Sequence, residues 1–158
     1  MSDPPRSDGQ ALPQDTPPPR GSRHCIALVS GGLDSLLAVH FMLDQGIRVT
    51  TLQLSTPFGT ERQPHPSLAA RPDVGIRVER LGQDLIDVVR RPPNGYGRNM
   101  NPCIDCHILM LRRAKALMPE TGASFVVTGE VLDQRPMSQR IWNLLKIERE
   151  AGLEGLLL

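Results

Sequence analysis

Aromatic residues are scarce in this chain, and no apolar run is long enough to cross a membrane. Three Phe, one Tyr and one Trp account for 3% of the 158 residues. The sequence therefore shows no platform of stacked aromatic side chains of the kind that binds single-stranded RNA. The N-terminal segment lacks the apolar stretch of a secretory signal, and no segment approaches the ~20 apolar residues of a transmembrane helix. These absences predict a cytoplasmic protein without a membrane partner.

Cysteine is also rare, and two of the three cysteines form one short motif. Cys103 and Cys106 are separated by two residues, and Cys25 stands far from them in the sequence. So few cysteines argue against a disulfide scaffold. A CxxC pair suits a reducing compartment, where such pairs bind metal or take part in catalysis.

The chain is predicted to consist of a polar leader and one domain. Residues 1–22 are dominated by Pro, Asp, Ser, Gly and Gln. Because this composition cannot bury enough apolar surface to fold, we expect a disordered leader. Residues 23–158 have the length of a single domain. The chain ends in three leucines, which we expect either to dock as an edge strand or to indicate a domain truncated at its C-terminus.

Short apolar segments alternate with segments of helical periodicity. Strands are predicted at residues 24–29, 47–54, 75–81 and 123–128, and helices at 33–45, 66–71, 83–90, 103–118 and 139–151. Alternating β and α units predict an α/β fold with a doubly wound parallel sheet of four to five strands.

The most informative segment lies between the first predicted strand and the first predicted helix. It runs from Ser30 to Ser35 and reads Ser-Gly-Gly-Leu-Asp-Ser. Gly31 and Gly32 allow backbone N–H groups to converge on an anion, and the following helix start adds partial positive charge. The two serines add hydroxyl donors, and the Gly-Lys-Ser/Thr of a Walker loop is absent. We therefore predict a phosphate-binding turn, with a tight turn that needs glycine only for packing as the alternative.

This segment resembles the signature of the PP-loop ATP pyrophosphatases. The resemblance implies a Rossmann-like fold, similar to the adenine nucleotide alpha-hydrolases, that binds ATP and cleaves it between the α- and β-phosphates. The implied ATP contacts are Ser30, Gly31, Gly32, Asp34 and Ser35. The resemblance also implies that Asp34 helps to place Mg²⁺, although Asp34 could simply favour the first turn of the helix.

A second motif, residues 97–107, narrows the choice within this superfamily. It reads Gly-Arg-Asn-Met-Asn-Pro-Cys-Ile-Asp-Cys-His and looks like the Asn-Pro-Cys-x-x-Cys-Asn segment of the tRNA 2-thiouridylases, which place sulfur on uridine. The segment Val-Thr-Gly-Glu that ends at Glu130 resembles their Ala-Thr-Gly-His segment. The resemblance implies that Cys106 is the sulfur-transfer nucleophile and Cys103 a second catalytic residue. It also implies that Thr128 and Gly129 belong to the ATP site.

The position of the CxxC pair predicts reactive thiols. A helix N-terminus lowers the pKa of a thiol there, and Arg98, Arg112 and Arg113 are close in the sequence. Such a thiolate can carry a persulfide, attack an activated carbon or bind metal. A [4Fe–4S] cluster held by Cys103 and Cys106 is the metal alternative, since some tRNA thiolases of the superfamily hold one.

Cys25 is not expected to complete such a cluster. It begins the first predicted strand, whereas ligands of parallel sheets bind at the carboxyl ends of the strands. We predict a buried structural thiol.

Basic residues are concentrated between positions 90 and 118, where five Arg and one Lys oppose Asp105 alone. Such a block is typical of contacts with phosphate, nucleotide or RNA, and a solvated helix face explains it equally well. Arg98, Arg112 and the later loop residue Arg135 are the predicted substrate- or phosphate-binding residues.

These patterns favour ATP-dependent tRNA thiolation. ATP would adenylate a uracil carbonyl with release of pyrophosphate, and sulfur from a CxxC cysteine would displace AMP. This hypothesis requires ATP and Mg²⁺, with tRNA and a sulfur-donor protein as partners, and leaves a homodimer open. The alternatives are an ammonia-using, amide-forming PP-loop ligase with a structural CxxC pair, and a nucleotide-binding fragment without its acceptor domain.

Overall fold

The computed structural model describes residues 23–59, 63–134 and 138–158, apart from the side chain of Arg98. The predicted leader, residues 1–22, lies outside the described residues, as does Arg135.

Strands and helices alternate through the described residues. The order is β1 (His24–Leu28), α1 (Leu33–Asp44), β2 (Arg48–Ser55), α2 (Pro66–Ala69), β3 (Val74–Arg80), α3 (Gln83–Arg90), a 3₁₀ turn (Arg98–Met100), α4 (Cys103–Thr121), β4 (Phe125–Val127) and α5 (Ile141–Ala151). The strands form a parallel sheet in the order β3-β2-β1-β4. The predicted α/β fold class is therefore confirmed.

Two apolar layers cover the two faces of the sheet, as a doubly wound fold requires. Successive residues of a strand point to opposite faces, so Ile26 and Ala27 of β1 belong to different layers. One layer packs α4 and α5 on the sheet through Ile26, Leu52, Ile108, Leu111, Val126 and Ile147. The other packs α1 and α2 through Cys25, Ala27, Val39, Val49, Leu68 and Val127. Burial on both faces explains why β1 and β4 consist almost entirely of apolar residues.

The three C-terminal leucines lie along β4. The N–H of Val126 donates to the carbonyl of Leu156 at 2.8 Å, and the N–H of Leu158 donates back to the carbonyl of Val126 at 2.9 Å. Leu157 and Val126 form a parallel bridge. The expected docking at the sheet edge is confirmed.

The cysteine-bearing helix α4 extends beyond its predicted end. It continues through Pro119 to Thr121, because a proline in the last turn removes a single helical hydrogen bond. Gly122 then ends it in the left-handed conformation, with φ of 71°. None of the helices among the described residues is both long and apolar enough to span a bilayer.

The loop after β4 lies directly against the first turn of α1. A Cβ atom at Gly129 would overlap the backbone of Asp34 and Ser35. Only glycine therefore allows the chain to pass so close to the helix. This contact joins the carboxyl ends of β1 and β4.

Replacing Gly129 with alanine should destabilise the protein, because the added methyl group must push α1 away from β4. We expect the free energy of unfolding, measured by urea denaturation, to fall by about 1–3 kcal/mol. Gly59→Ala is the matched control, since a Cβ there meets only Thr56 Oγ1, at an ordinary contact distance of 3.7 Å. Unchanged stability of the Gly129→Ala protein would contradict the close contact.

Candidate functional site

A cavity of about 590 Å³ opens at the carboxyl edge of the sheet. The loops after β1, β2 and β4 and the first turns of α4 form its wall. This is the edge at which parallel α/β sheets bind ligands. Eight of the predicted site residues line it: Ser30, Gly32, Asp34, Ser35, Cys103, Cys106, Thr128 and Gly129.

The turn after β1 has the geometry of an anion-binding loop. Gly31 adopts φ of 80°, a conformation that side chains disfavour, and Gly32 caps α1. The Ser35 hydroxyl donates to the Gly32 carbonyl at 2.8 Å, and the Gly32 N–H donates to Ser30 Oγ at 3.3 Å. No side chain of the described residues caps α1. The first N–H groups of the helix are therefore directed at the cavity edge without a side-chain acceptor.

The two cysteines share one face of α4 with His107 and Met110. Offsets of three, four and seven residues bring these side chains to the same side of a helix, and all four line the cavity. The phosphate-type turn and the CxxC pair therefore lie in the wall of one cavity.

Asp105, between the cysteines, fixes the loop before α4. Its buried carboxylate accepts the backbone N–H of Asn94 at 3.0 Å and the Asn94 side-chain amide at 2.8 Å. The N–H of Gly97 donates to the carbonyl of Asn101 at 2.9 Å. Asn99 and Met100 take positive φ values of 59° and 55°. This tightly folded loop places Asn101 in the cavity wall.

The expectation of a lowered thiol pKa is wrong for Cys106. Burial raises the pKa of this thiol, and the neighbouring Cys103 and Asp105 raise it further. Removal from water disfavours the thiolate more than the helix start favours it. Cys106 is therefore a thiol at neutral pH in the ligand-free protein.

The arginines predicted to assist the thiols are engaged elsewhere. Arg112 donates to the carbonyl of Glu150 at 2.9 Å, and Arg113 pairs with Asp84 on α3. Neither lines the cavity, so the predicted role of Arg112 in substrate binding is not supported by its position. The reason is helical geometry: Arg112 lies on the side of α4 opposite Cys103, and Arg113 lies two turns beyond Cys106, where it reaches α3. The side chain of Arg98, the other predicted phosphate-binding arginine of this segment, lies outside the described residues.

Cys25 is a structural thiol, as predicted. It is fully buried in the sheet at the edge opposite the cavity, and burial raises its pKa to about 12. Among the described residues, no group of three or more His, Cys, Asp or Glu side chains is arranged to hold a metal ion.

The sequence analysis missed several polar residues of the cavity wall. Gln53 lies near the end of β2, and Gln139 precedes α5. Gln134, which belongs to the loop already expected to bind phosphate or substrate, donates to the Asp34 carboxylate at 3.4 Å. His107 and Glu130 lie 3.1 Å apart across the wall. For Glu130, the available signal was its position just after the carboxyl end of β4, next to Thr128 and Gly129.

A family model described as "Thiamine biosynthesis protein (ThiI)" matches residues 21–154. The chain belongs to the ThiI family. ThiI proteins are PP-loop proteins, so the superfamily indicated by the Ser30–Ser35 segment is confirmed.

Two relatives place this ThiI domain among longer proteins. A probable tRNA sulfurtransferase of Methanosarcina acetivorans is 29% identical over 120 residues, which are 69% of this chain and 28% of the relative. A crystal structure of a 4-thiouridine synthetase–RNA complex with bound ATP superposes with a TM-score of 0.65 at 25% identity, over 81% of this chain and 34% of that one. The chain thus spans about a third of the length of these relatives or less.

Alkylation should label the CxxC pair well before Cys25. Cys103 and Cys106 are partly exposed at the cavity, whereas Cys25 is fully buried. Because the pKa of Cys106 is raised, its labelling rate should increase about tenfold per pH unit from neutral pH through the ordinary range of thiols. Peptide mass spectrometry after iodoacetamide treatment gives each rate. Fast labelling of Cys25, or a pH-independent rate at Cys106, would contradict this arrangement.

Proposed function

We propose that this ThiI domain uses ATP to activate a uracil carbonyl of an RNA and then replaces the carbonyl oxygen with sulfur. One observation carries the proposal: the phosphate-type turn and the CxxC pair face the same cavity. The first can hold the phosphates of a nucleotide, and the second can supply a sulfur nucleophile. The relatives described as a tRNA sulfurtransferase and as a 4-thiouridine synthetase bound to RNA and ATP support it.

In the first step, the uracil oxygen attacks the α-phosphorus of ATP and pyrophosphate leaves. Negative charge develops on the departing pyrophosphate, next to the turn from Ser30 to Ser35. The convergent N–H groups of this turn, the serine hydroxyls and the start of α1 stabilise that charge. AMP then remains bonded to the uracil oxygen as a good leaving group.

The Asp34 carboxylate suits a magnesium ion bound with the nucleotide. It lies within the Ser30–Ser35 turn and lines the cavity, and carboxylate oxygens are preferred Mg²⁺ ligands. When bound, the ion would neutralise charge on the phosphates. Gln134, which donates to Asp34 Oδ2, would keep this carboxylate directed into the cavity.

In the second step, sulfur on Cys106 attacks the activated carbon and AMP leaves. A persulfide formed by a sulfur-donor protein is the form of sulfur that suits this site. Persulfide transfer leaves the outer sulfur bonded to both the base and Cys106, so a second thiol must release it. Cys103 lies on the same helical face and would attack Cys106 Sγ. This breaks the S–S bond, releases the thiolated base and leaves a Cys103–Cys106 disulfide, which cellular thiols must reduce before the next turnover.

The raised pKa of the Cys106 thiol is compatible with this order of events. The free thiol stays protonated and unreactive until sulfur arrives, which protects the activated base from premature attack. A cytoplasmic, reducing location would keep the pair reduced.

A [4Fe–4S] cluster fits the described residues less well. Two cysteines face the cavity, and Cys25 is buried at the opposite edge. A third protein ligand would have to come from outside the described residues. An ammonia-using ligase is also disfavoured, because it gives no role to two thiols in the cavity wall.

Gly32→Val should abolish binding of ATP–Mg²⁺. The branched side chain would occupy the space in which the phosphates meet the N–H groups of the turn. Calorimetry should detect ATP binding by the wild type and by Gly82→Val, whose side chain enters open space, but not by Gly32→Val. Equal affinity in all three, with unchanged far-UV circular dichroism, would disprove the phosphate role of the turn.

Turnover with an RNA acceptor should yield AMP and pyrophosphate rather than ADP and phosphate. Cys106→Ser should still form these products from the first step but should transfer no sulfur, because the thiol acts second. Cys25→Ser is the control, since Cys25 lies far from the cavity. Sulfur in RNA treated with the Cys106→Ser protein, measured by nucleoside mass spectrometry, would refute the assigned nucleophile.

A further inference from the structure

Three polar side chains at the cavity wall have no role in the reaction described above. The Glu130 carboxylate lies 3.1 Å from His107 Nε2 and 3.5 Å from Gln139 Nε2, with the same oxygen facing both nitrogens. All three residues line the cavity, and His107 follows Cys106 directly on α4. They therefore form a connected group beside the thiols.

This group fixes which way the Gln139 amide points. A carboxylate oxygen accepts hydrogen bonds and cannot donate them, so the amide must turn its NH₂ toward Glu130. His107 Nε2 must likewise carry a hydrogen where it meets the same oxygen. The carbonyl oxygen of the Gln139 amide is left facing away from Glu130.

That carbonyl oxygen has no partner within the described residues. Gln139 is 5% exposed, and its Oε1 is shielded from solvent without a hydrogen bond there. A buried acceptor that lacks a donor is costly in a folded protein, and such atoms usually have a purpose. Because Gln139 lines the cavity wall, a ligand that displaces the groups covering this oxygen can supply the missing N–H donor.

We propose that Gln139 Oε1 reads the base to be modified by accepting its ring imide N–H, with Glu130 and His107 as positioning residues. This inference rests on the proposed function, in which a uracil must lie close to the CxxC thiols. Uracil carries a hydrogen on the ring nitrogen next to its reactive carbonyl, whereas cytosine carries a lone pair there. A fixed acceptor therefore selects uracil, because cytosine would leave Oε1 unsatisfied and oppose it with a second lone pair.

Solution NMR of the ¹⁵N-labelled protein tests the recognition of uracil by Gln139 without requiring turnover. The protein is first saturated with α,β-methylene-ATP and Mg²⁺ and is then titrated with uridine, cytidine or N3-methyluridine. Uridine should shift the Gln139 side-chain NH₂ signals and the backbone signals of Cys106 and His107. Cytidine and N3-methyluridine lack the imide hydrogen, so their dissociation constants should be at least about tenfold higher than that of uridine.

Variants separate the role of Gln139, which would contact the base, from that of Glu130, which would position Gln139. Gln139→Leu should lose the uridine response at Cys106 and His107 while the Ser30–Ser35 signals still respond to the nucleotide. Glu130→Gln should narrow the preference for uridine over cytidine, because a neutral amide partner no longer dictates the orientation of Gln139. Gln45→Leu, an exposed glutamine just after α1, should behave as the wild type.

The outcomes distinguish this proposal from the proposed function. A response to nucleotide at the Ser30–Ser35 turn, with equal binding of uridine and cytidine, would overturn the role of Gln139 and leave the ATP site standing. Shifts of the Gln139 side chain caused by the nucleotide alone would also overturn it, since adenine would then be the donor. A uridine preference without any nucleotide binding would support the reading role and contradict the proposed ATP chemistry.

Discussion

The close approach of the loop after β4 to the first turn of α1 governs the layout of the site. Gly129 leaves no room for a side chain between β4 and the backbone of Ser35. The phosphate-type turn and the loop that carries Glu130 and Gln139 are therefore held against each other. Since β1 lies between β2 and β4 in the sheet, both loops open into one cavity, with the cysteines of α4 above the same edge.

The two halves of the cavity differ in whether they stabilise negative charge. Backbone N–H groups and hydroxyls surround the turn after β1, which favours bound negative charge. Around the thiols, burial and Asp105 oppose negative charge, so Cys106 stays protonated. The His107–Glu130 pair lines the same cavity. A nucleotide and a sulfur carrier would thus occupy different electrostatic environments within one cavity, which suits a reaction in two ordered steps.

The fold and the main motifs could be predicted from the sequence because they depend on local patterns. Glycines between a buried strand and a helix identify the turn after β1, and α3 was predicted with its observed bounds. Docking of the last leucines at the sheet edge was one of two alternatives, and it is observed as an isolated bridge rather than a strand. Properties that depend on the environment of a side chain could not be predicted. The pKa of Cys106 depends on how deeply its side chain is buried. The hydrogen bond of Arg112 depends on the backbone carbonyl of Glu150, which is distant in the sequence.

Side-chain contacts across the cavity wall could not be predicted either. Gln139 gave no signal in the sequence, since its orphaned oxygen exists only where Glu130 turns the amide. Such contacts join residues from different loops, and spacing along the chain does not reveal them.

A crystal structure of the protein with α,β-methylene-ATP and Mg²⁺ tests the central claim most directly. If the turn after β1 and the CxxC pair act on one substrate, the phosphates will contact the Ser30–Ser35 turn and the α-phosphorus will lie on the side facing Cys106. A nucleotide whose phosphates lie away from the turn, or whose α-phosphorus is separated from the thiols by protein, would contradict the account.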